Sequence, residues 1–268
     1  MMIILHISDL HFRISYNNPK NEYEHMLQKM QNPLVPLEFC LKRAMVHTQI
    51  DFLAVTGDLT DDGTVADYHY LKHRILQLTG GKIPLLVTLG NHDQKSAFRE
   101  GWLKEAPSSN PYNTIHVTKQ AAFVSFDSSE AGNSRGIISQ DQLCWLGQVL
   151  KSLIPKPVIL LTHHHLNEHQ SDMPTVEHKK EFLDLLRQYP VTCILNGHTH
   201  LHSHGIVNGV PYYTSDGMSF YGVNMDDGAV RFEEQFGYSL YETDGIKFTE
   251  IKRETFSKEK TLATIRWD

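Results

Sequence analysis

The stretch VTCILNGHTHLHSHG (residues 191–205) joins an apolar run of strand-forming residues to a tail rich in histidine. Its histidines, His198, His200, His202 and His204, stand at every second position, which would align them along one face of an extended strand. A row of this kind indicates either a metal site or a solvated polar edge. The rest of the chain has to distinguish between these two interpretations.

The same arrangement, a short apolar run that ends in a polar cluster, occurs four more times. MIILHIS precedes DLH, DFLAVT precedes GDLTDDG, LLVTL precedes GNHD, and VILLT precedes HHH. Short apolar runs flanked by glycine or polar residues predict buried strands. Ligands of parallel sheets collect at the carboxyl ends of the strands, where all five clusters lie. We therefore expect the five clusters to form a single site.

Helical patterns lie between several of these predicted strands. Capping boxes open two of them, at residues 64–67 and 139–142, and a third helix is predicted from Val176 to Tyr189, before Pro190. The alternation of strands with helices predicts an α/β fold with a largely parallel sheet at its core.

Two segments do not follow this alternation. Residues 12–36 are polar and irregular, with a short helix predicted near 22–30, and whether they form a lid or only a surface loop stays open. From residue 206 the runs GVPYYTS, AVRFEE, GYSLYE and IKFTEIKR predict meandering antiparallel strands, in a second sheet or at the edge of the first. Because no repeat or linker interrupts the chain, we predict a single domain over residues 1–268, with the motifs in 1–205 and the antiparallel strands in 206–268.

The composition narrows the classes of protein. With 268 residues, of which 40% are hydrophobic and 21% charged, the chain is typical of a soluble globular protein. Its net charge of −6 disfavours nucleic acid as a partner, although a bound metal could still attract a phosphate. The first residues lack the basic region of a signal peptide, no stretch is apolar enough to span a membrane, and the three cysteines form no CxxC pair. We therefore predict a cytoplasmic protein without a membrane partner.

The five clusters offer oxygen and imidazole ligands and no thiolate. The candidates are Asp9, His11, Asp58, Asn91, His163, His198 and His200, three of which directly follow a glycine that permits close approach of the chain. This set is too large for one tetrahedral zinc ion and suits two ions that share a carboxylate. Two ions about 3.5–4 Å apart lower the pKa of a shared water and neutralise a phosphoryl group, so we predict hydrolysis of a phosphate ester.

DLH, GDLTDDG, GNHD, THHH and GHTH, in this order and each after a predicted strand, resemble the motifs of the calcineurin-like metallophosphoesterase superfamily over residues 2–205. Within it the chain most resembles the class III cyclic-nucleotide phosphodiesterases and their glycerophosphodiesterase relatives, partly through FVSFDSSEAGNSRGIISQDQLCWL (residues 123–146). The resemblance implies an α/β fold in which two mixed sheets form a β-sandwich flanked by helices, with the metal site at the carboxyl ends of the strands.

Carried over to the matching positions, the resemblance implies that Asp9, His11 and His200 hold one ion, that Asn91, His163 and His198 hold the other, and that Asp58 bridges them. It implies that His92 is the general acid or a transition-state donor, that Asp61 orients it, and that Asn91 also orients the substrate. Manganese, iron and zinc all suit these ligands. The roles of His164, His165, His202 and His204, which match no motif position, stay open.

Two positions near the bridging aspartate differ from other branches of the superfamily. Purple acid phosphatases have a metal-binding tyrosine where this chain has Asp61, so we expect no tyrosinate ligand and no purple colour. Protein Ser/Thr phosphatases have a phosphate-gripping arginine where this chain has Asp62, which argues against phosphoprotein monoesters. For Arg13 we expect a surface salt bridge rather than a contact with a substrate phosphate.

Residues and resemblance together favour a dinuclear phosphodiesterase that acts on a small phosphodiester, above all a 3′,5′-cyclic nucleotide of the cAMP type. The alternative is a nucleotide pyrophosphatase, a glycerophosphodiesterase or a nuclease on the same site. A non-catalytic scaffold, similar to the retromer subunit of this fold, is disfavoured because that protein lacks the histidine ligands that this chain keeps. The resemblance also makes a homodimer plausible.

Overall fold

The computed structural model describes residues 1–46, 48–130 and 132–267. Its strands are β1 (Met2–Ile7), β2 (Phe52–Thr56), β3 (Leu85–Thr88), β4 (Thr114–Val117), β5 (Ala122–Ser125), β6 (Val158–Leu161), β7 (Val191–Asn196), β8 (Ser203–Val207), β9 (Val210–Thr214), β10 (Tyr221–Asn224), β11 (Val230–Thr243) and β12 (Phe248–Ile265). Its helices are α1 (Glu22–Lys29), α2 (Leu34–Met45), α3 (Val65–Leu78), α4 (Lys95–Phe98), α5 (Gln140–Leu153) and α6 (Lys179–Leu186), and a π-helical turn covers Arg99–Leu103.

Two mixed sheets of six strands each form the centre of the molecule. The first sheet has the order β10–β11–β1–β2–β3, with β12 also paired to β11, and the second has the order β4–β5–β6–β7–β9–β8. The neighbours β1, β2 and β3 run parallel to one another, and so do β5, β6, β7 and β9. Two mixed sheets with flanking helices confirm the predicted α/β sandwich.

A buried apolar layer lies between the two sheets and includes Ile4, Phe52, Phe123, Ile159 and Leu195. The outer face of the first sheet packs against α2 and α3, and that of the second against α5 and α6. Strands β2 and β6 are buried at every position. Both of their faces are covered, and this explains why they read as unbroken apolar runs in the sequence.

The predicted helices differ from the observed ones mainly at their ends. Both capping boxes are present, at the first turns of α3 and α5, and α1 matches the short helix predicted near 22–30. Helix α6 is shorter than the predicted 176–189. The residues predicted to form its first turn make other contacts instead. Val176 packs into the apolar cluster on the outer face of the second sheet, and the amide of Glu177 donates to the Gly136 carbonyl.

The C-terminal strands β10, β11 and β12 are antiparallel and extend the first sheet, one of the two predicted alternatives, whereas β8 and β9 join the second. Strand β9 runs parallel to β7 inside the second sheet, and the two runs AVRFEE and GYSLYE belong to the one continuous strand β11. In the first sheet β11 pairs with β1 on one side, with Met2 opposite Thr243, and with β12 on the other. Residues beyond 206 therefore complete both sheets. Among the described residues, no helix combines the length and the apolar character that crossing a membrane requires.

Candidate metal centre

The five polar clusters converge on one edge of the sandwich. Asp9 and His11 follow β1, Asp58 and Asp61 follow β2, Asn91 and His92 follow β3, His163 follows β6, and His198 and His200 follow β7. The two sheets meet directly here, because the amide of His198 donates to both carboxylate oxygens of Asp9 at 3.1 Å. All of these side chains except His92 are buried, although burial of polar groups is unfavourable unless they find partners.

One group of candidate ligands, which we name the first half-site, consists of Asp9, His11 and His200. Together with Asp58, their ligand atoms all lie within 4.8 Å of one another. The Nε2 atoms of His11 and His200 face each other at 3.1 Å. Their Nδ1 atoms are occupied, at 2.8 Å from Asp61 Oδ2 and at 2.6 Å from the Phe220 carbonyl.

This arrangement sets the tautomers of both rings. An imidazole that donates its Nδ1–H to an oxygen turns its Nε2 atom towards the other ring, and a cation between His11 and His200 would accept the lone pairs of both Nε2 atoms. The Nε2 atom of His11 is also 3.6 Å from Asp58 Oδ2, and that of His200 is 3.4 Å from Asp9 Oδ1. Converging lone pairs and carboxylates fit a bound cation.

The second half-site is the predicted set Asn91, His163 and His198, and the ligand atoms of His163 and His198 lie within 4.8 Å of each other and of His164. The buried atoms Asn91 Oδ1 and His198 Nε2 have no hydrogen-bond partner, and His163 Nε2 faces only Asp58 Oδ2, at 3.3 Å. A buried polar atom without a partner costs about 1–3 kcal/mol, and a metal ion would remove this cost for those atoms that it contacts. The Nδ1 atom of His163 lies 2.7 Å from the Thr56 carbonyl, which leaves its Nε2 lone pair free for an ion.

Asp58 stands between the two half-sites. Its Oδ2 atom is 3.3 Å from His163 Nε2 in one half-site and 3.6 Å from His11 Nε2 in the other. Its Oδ1 atom accepts the amide of His92 at 2.8 Å, which fixes the direction of the carboxylate. Asp58 thus occupies the place that a carboxylate shared by two ions requires.

The backbone of the site is strained where the candidate ligands stand. Asp9, His11, Asp58, His198 and His200 have φ values of 53°, 49°, 45°, 73° and 58°, in the left-handed region that non-glycine residues avoid. Each such residue costs about 1–3 kcal/mol, and such strain concentrates at functional sites. Left-handed turns, rather than extended chain, direct these side chains into the site.

The predicted strand with a row of four histidines is therefore wrong. His198 and His200 lie in the turns between β7 and β8, and of the four only His204 lies in a strand. His202 is outside the centre, with Nε2 at 2.9 Å from Glu250 and Nδ1 at 2.7 Å from Arg253. A histidine that already pairs with a carboxylate and an arginine is not available to an ion.

Two glycines permit the crowding that the sequence predicted. A Cβ atom at position 90 would lie 2.2 Å from Asp58 Oδ1, and one at position 197 would lie 1.9 Å from Ser8 Oγ. Either would displace a residue of the centre or its neighbour, so only glycine fits before Asn91 and before His198.

His92 is the candidate residue with access to solvent, with 29% of its side chain exposed. Burial lowers the pKa of its imidazole, but the charge of Asp58 and the contact with Asp61 outweigh burial and raise that pKa to about 10. Asp61 Oδ2 is 3.4 Å from His92 Nδ1, and it lies closer to His11 Nδ1 and to Tyr23 Oη. Asp61 therefore supports a candidate ligand as well as His92.

The charges inside the centre divide between the half-sites. Burial lowers the pKa of His163, but the Asp58 carboxylate outweighs burial and raises that pKa to about 9. Burial in turn raises the pKa of Asp58, but the charges of His163 and His92 outweigh it and hold that pKa well below its usual value. Burial lowers the pKa of His198 and of His200. Without an ion, a proton therefore occupies His163 near neutral pH, whereas His198 and His200 are neutral.

Three further residues lie near the centre: Asp93 and Tyr23, which the sequence analysis did not single out, and His164, whose role it left open. Asp93 accepts the amides of Leu59, Thr60 and Gly90 at 2.9–3.1 Å and so ties the loops after β2 and β3 together. His164 places an unpartnered, buried Nε2 beside His163 and His198. Tyr23 reaches Asp61 from α1. Asp93 stands inside the quoted motif GNHD and could have been singled out, whereas no local signal points to Tyr23.

Arg13 does not form the predicted surface salt bridge. Its guanidinium donates to the backbone carbonyls of Asp61 and Asp62, and among the described residues it has no carboxylate partner. Arg13 thus holds the turn after β2. Backbone carbonyls in a tight turn need hydrogen-bond donors from elsewhere, and the guanidinium supplies them.

Two mixed sheets with clustered Asp, Asn and His side chains at their strand ends define a metallophosphoesterase. Residues 2–202 match the sequence profile described as calcineurin-like phosphoesterase, and the chain belongs to this family. A probable cyclic nucleotide phosphodiesterase of Rhodococcus erythropolis is 32% identical over 60% of this chain and 55% of its own length. The chain thus spans little more than half of that relative.

Two further similarities agree with this family. A probable glycerophosphodiester phosphodiesterase of Arcobacter nitrofigilis is 28% identical over 74% of this chain and 72% of its own length. A purple acid phosphatase from yellow lupin shares the fold with a TM-score of 0.61 at 15% identity, over 96% of this chain and 53% of its own. The second similarity concerns the fold alone.

Proposed function

We propose that this protein is a dinuclear metal-dependent phosphodiesterase that hydrolyses a small phosphodiester, above all a 3′,5′-cyclic nucleotide. The observation that carries the proposal is the pair of half-sites around Asp58, with facing lone pairs in one and unpartnered buried atoms in the other. When bound, two such ions supply a hydroxide nucleophile at neutral pH and neutralise the phosphoryl group. Manganese, iron and zinc suit these ligands, and availability selects among them.

The proposed division of work is that implied by the family motifs, and the positions of the side chains support it. Asp9, His11 and His200 hold one ion, Asn91, His163 and His198 hold the other, and Asp58 is shared. The Asn91 carboxamide uses its oxygen as a ligand, which leaves its NH₂ group to donate to a substrate oxygen. The exposed, protonated imidazole of His92 donates a proton to the leaving oxygen, and Asp61 keeps this ring charged and oriented.

The basic groups near the centre favour a diester over a monoester. Arg13 is occupied by the carbonyls of Asp61 and Asp62, and Lys95 donates to Asp127 at 2.5 Å and to Ser129. A phosphate monoester carries more negative charge than a diester and needs more cationic contacts. The engaged arginine and lysine therefore support a substrate with one phosphate charge.

An aromatic surface at Trp267, separated from His92 by the Tyr23 ring, supports a substrate with a planar base. The Trp267 side chain is 59% exposed, and its ring lies 6.3 Å from that of Tyr23, which is 5.8 Å from the His92 ring. Stacking of a base on an aromatic side chain contributes about 1–3 kcal/mol. A purine ring could stack on this indole, whereas a glycerol group offers no such face. The names of relatives include both substrate classes.

The first test compares bis(p-nitrophenyl) phosphate with p-nitrophenyl phosphate, using enzyme stripped of metal and reloaded with manganese. Asn91→Ala is the test variant, and Asn224→Ala, at an exposed strand position, is its matched control. We expect a manganese-dependent preference for the diester that Asn91→Ala loses and Asn224→Ala keeps.

Two outcomes of this test count against the proposal. A preference for the monoester would replace the phosphodiesterase with a phosphatase. No turnover with two ions bound would leave a metal centre without the proposed hydrolysis. Where the diester preference holds, kcat/KM for cAMP, a glycerophosphodiester and a dinucleotide then selects among the cyclic-nucleotide proposal and its alternatives.

A further inference from the structure

Helix α1 brings a tyrosine to the back of the first half-site. The helix belongs to the irregular segment after β1, and Met26 and Leu27 anchor it in an apolar cluster with Phe220 and Leu262. From this anchored helix Tyr23 reaches inward, and its Oη lies 2.7 Å from Asp61 Oδ2. The two residues are 38 positions apart in sequence. Their contact therefore depends on how the segment docks.

Asp61 Oδ2 is shared among three groups. It is 2.7 Å from Tyr23 Oη, 2.8 Å from His11 Nδ1 and 3.4 Å from His92 Nδ1. An ionised carboxylate only accepts hydrogen bonds, so the tyrosine hydroxyl and the His11 ring both donate to this oxygen. His92, at the longest distance, holds the weakest of the three contacts.

Tyr23 stands on the wrong side of His11 to be a ligand itself. His11 turns its Nε2 towards His200 and Asp58, and its Nδ1 towards Asp61. The Tyr23 hydroxyl is 3.4 Å from Nδ1, on the edge of the ring that faces away from the candidate ions. The phenol therefore acts on the centre through Asp61 and His11.

We propose that Tyr23 is a positioning residue: its hydroxyl holds the Asp61 carboxylate against His11 and thereby fixes the His11 ring for the ion of the first half-site. This inference rests on the proposed metal centre and adds a residue to it. Groups that hydrogen-bond to metal ligands orient them, and their loss commonly lowers metal affinity about 10–100-fold. Without the hydroxyl, Asp61 is free to move towards His92, and the His11 ring loses its orientation.

The test measures binding of manganese to metal-free protein by chelator competition and by electron paramagnetic resonance. We expect Tyr23→Phe to lower the affinity for one of the two manganese ions about tenfold and to leave the affinity for the other unchanged. The resonance signal of the coupled ion pair should then appear only at a higher manganese concentration. With both ions saturating, kcat falls and KM for a diester stays the same, because Tyr23 does not touch the substrate.

Tyr16→Phe is the matched control for a general loosening of the segment. Tyr16 belongs to the same segment, and its hydroxyl donates to the backbone carbonyl of His11 at 2.7 Å. If Tyr16→Phe weakens the same ion as much as Tyr23→Phe does, docking of the segment matters and the contact with Asp61 does not, which overturns the inference. Unchanged manganese affinity in Tyr23→Phe overturns it as well.

A double-mutant cycle with Asp61→Asn tests whether Tyr23 acts on manganese affinity through the Asp61 carboxylate. If Tyr23 acts through the carboxylate, Tyr23→Phe has no further effect on manganese affinity once Asp61 is replaced. Additive losses would contradict this route. Failure of the wild-type protein to bind two ions would instead defeat the proposed function, whereas normal binding without hydrolysis of any diester would leave the role of Tyr23 intact.

Discussion

Two candidate ligands, His11 in the first half-site and His163 in the second, are oriented by different means. In the first half-site the His11 ring is held by the Asp61 side chain, which is itself held by Tyr23. In the second half-site the His163 ring is held by the backbone carbonyl of Thr56, at the end of β2. A backbone carbonyl inside a buried strand cannot be removed by substitution or moved easily, whereas a side-chain carboxylate can. The His11 ring is thus open to adjustment, whereas the His163 ring, like the His200 ring on the Phe220 carbonyl, is held by the backbone.

The half-sites also differ in what they hold without an ion. The second half-site contains unpartnered buried atoms and the protonated His163, while the first half-site brings two imidazole lone pairs together. Two facing lone pairs are unfavourable in the metal-free protein, and so are unpartnered buried atoms, and a bound ion relieves both. The following predictions test this contrast.

The largest effect is expected for the residue that both half-sites share. Asp58→Asn removes the shared charge, so we expect one ion to be lost and kcat/KM for a diester to fall about a thousandfold, or about 4 kcal/mol in the activation barrier. Metal content by mass spectrometry, beside steady-state kinetics, checks this. Two tightly bound ions together with near-normal turnover would show that Asp58 is not the bridge.

Replacement of His92 should slow catalysis without removal of metal. His92→Ala is expected to lower kcat for a cyclic nucleotide about 100- to 1,000-fold, because its poor alkoxide leaving group needs a proton. The loss should be much smaller for bis(p-nitrophenyl) phosphate, since p-nitrophenolate leaves without one. His73→Ala, at an exposed position of α3, is the control. Equal losses on both substrates would exclude the role of general acid.

The pH dependence of metal affinity should differ between the half-sites. An ion in the second half-site has to displace the proton of His163, whose pKa is raised to about 9, so affinity there should rise as pH increases towards 9, by about tenfold per unit at most. The first half-site should respond less, because burial lowers the pKa of His200. Manganese titrations between pH 6.5 and 8.5 measure both. The same slope for both ions would contradict the assignment of the proton to His163.

The smallest effect is expected at the aromatic surface. Trp267→Ala should raise KM for a cyclic nucleotide about fivefold, which corresponds to about 1 kcal/mol of stacking, and should leave KM for a glycerophosphodiester unchanged. Trp267→Phe should retain most of the affinity. A parallel change on both substrates would remove the argument for a planar base.

Local patterns in the sequence were enough to predict much of the fold and the composition of the centre. The apolar runs before each polar cluster became β1, β2, β3, β6 and β7, and both capping boxes begin helices. These features are readable because burial and capping act within a few residues of one another. The same clusters contain every candidate ligand that the structure brings together.

Other features depended on contacts between distant segments. Strand β9 joined the second sheet beside β7, and β11 joined the first beside β1, although both carry similar alternating patterns. Left-handed turns, rather than an extended strand, direct His198 and His200 into the centre and leave His202 to Glu250. The contact of Tyr23 with Asp61 has no trace in either local sequence. By itself the sequence determined which ligands exist and at which strand ends they stand, because those depend on neighbouring residues. Only the tertiary structure decided which groups hold the ligands in place, because that depends on where distant segments pack.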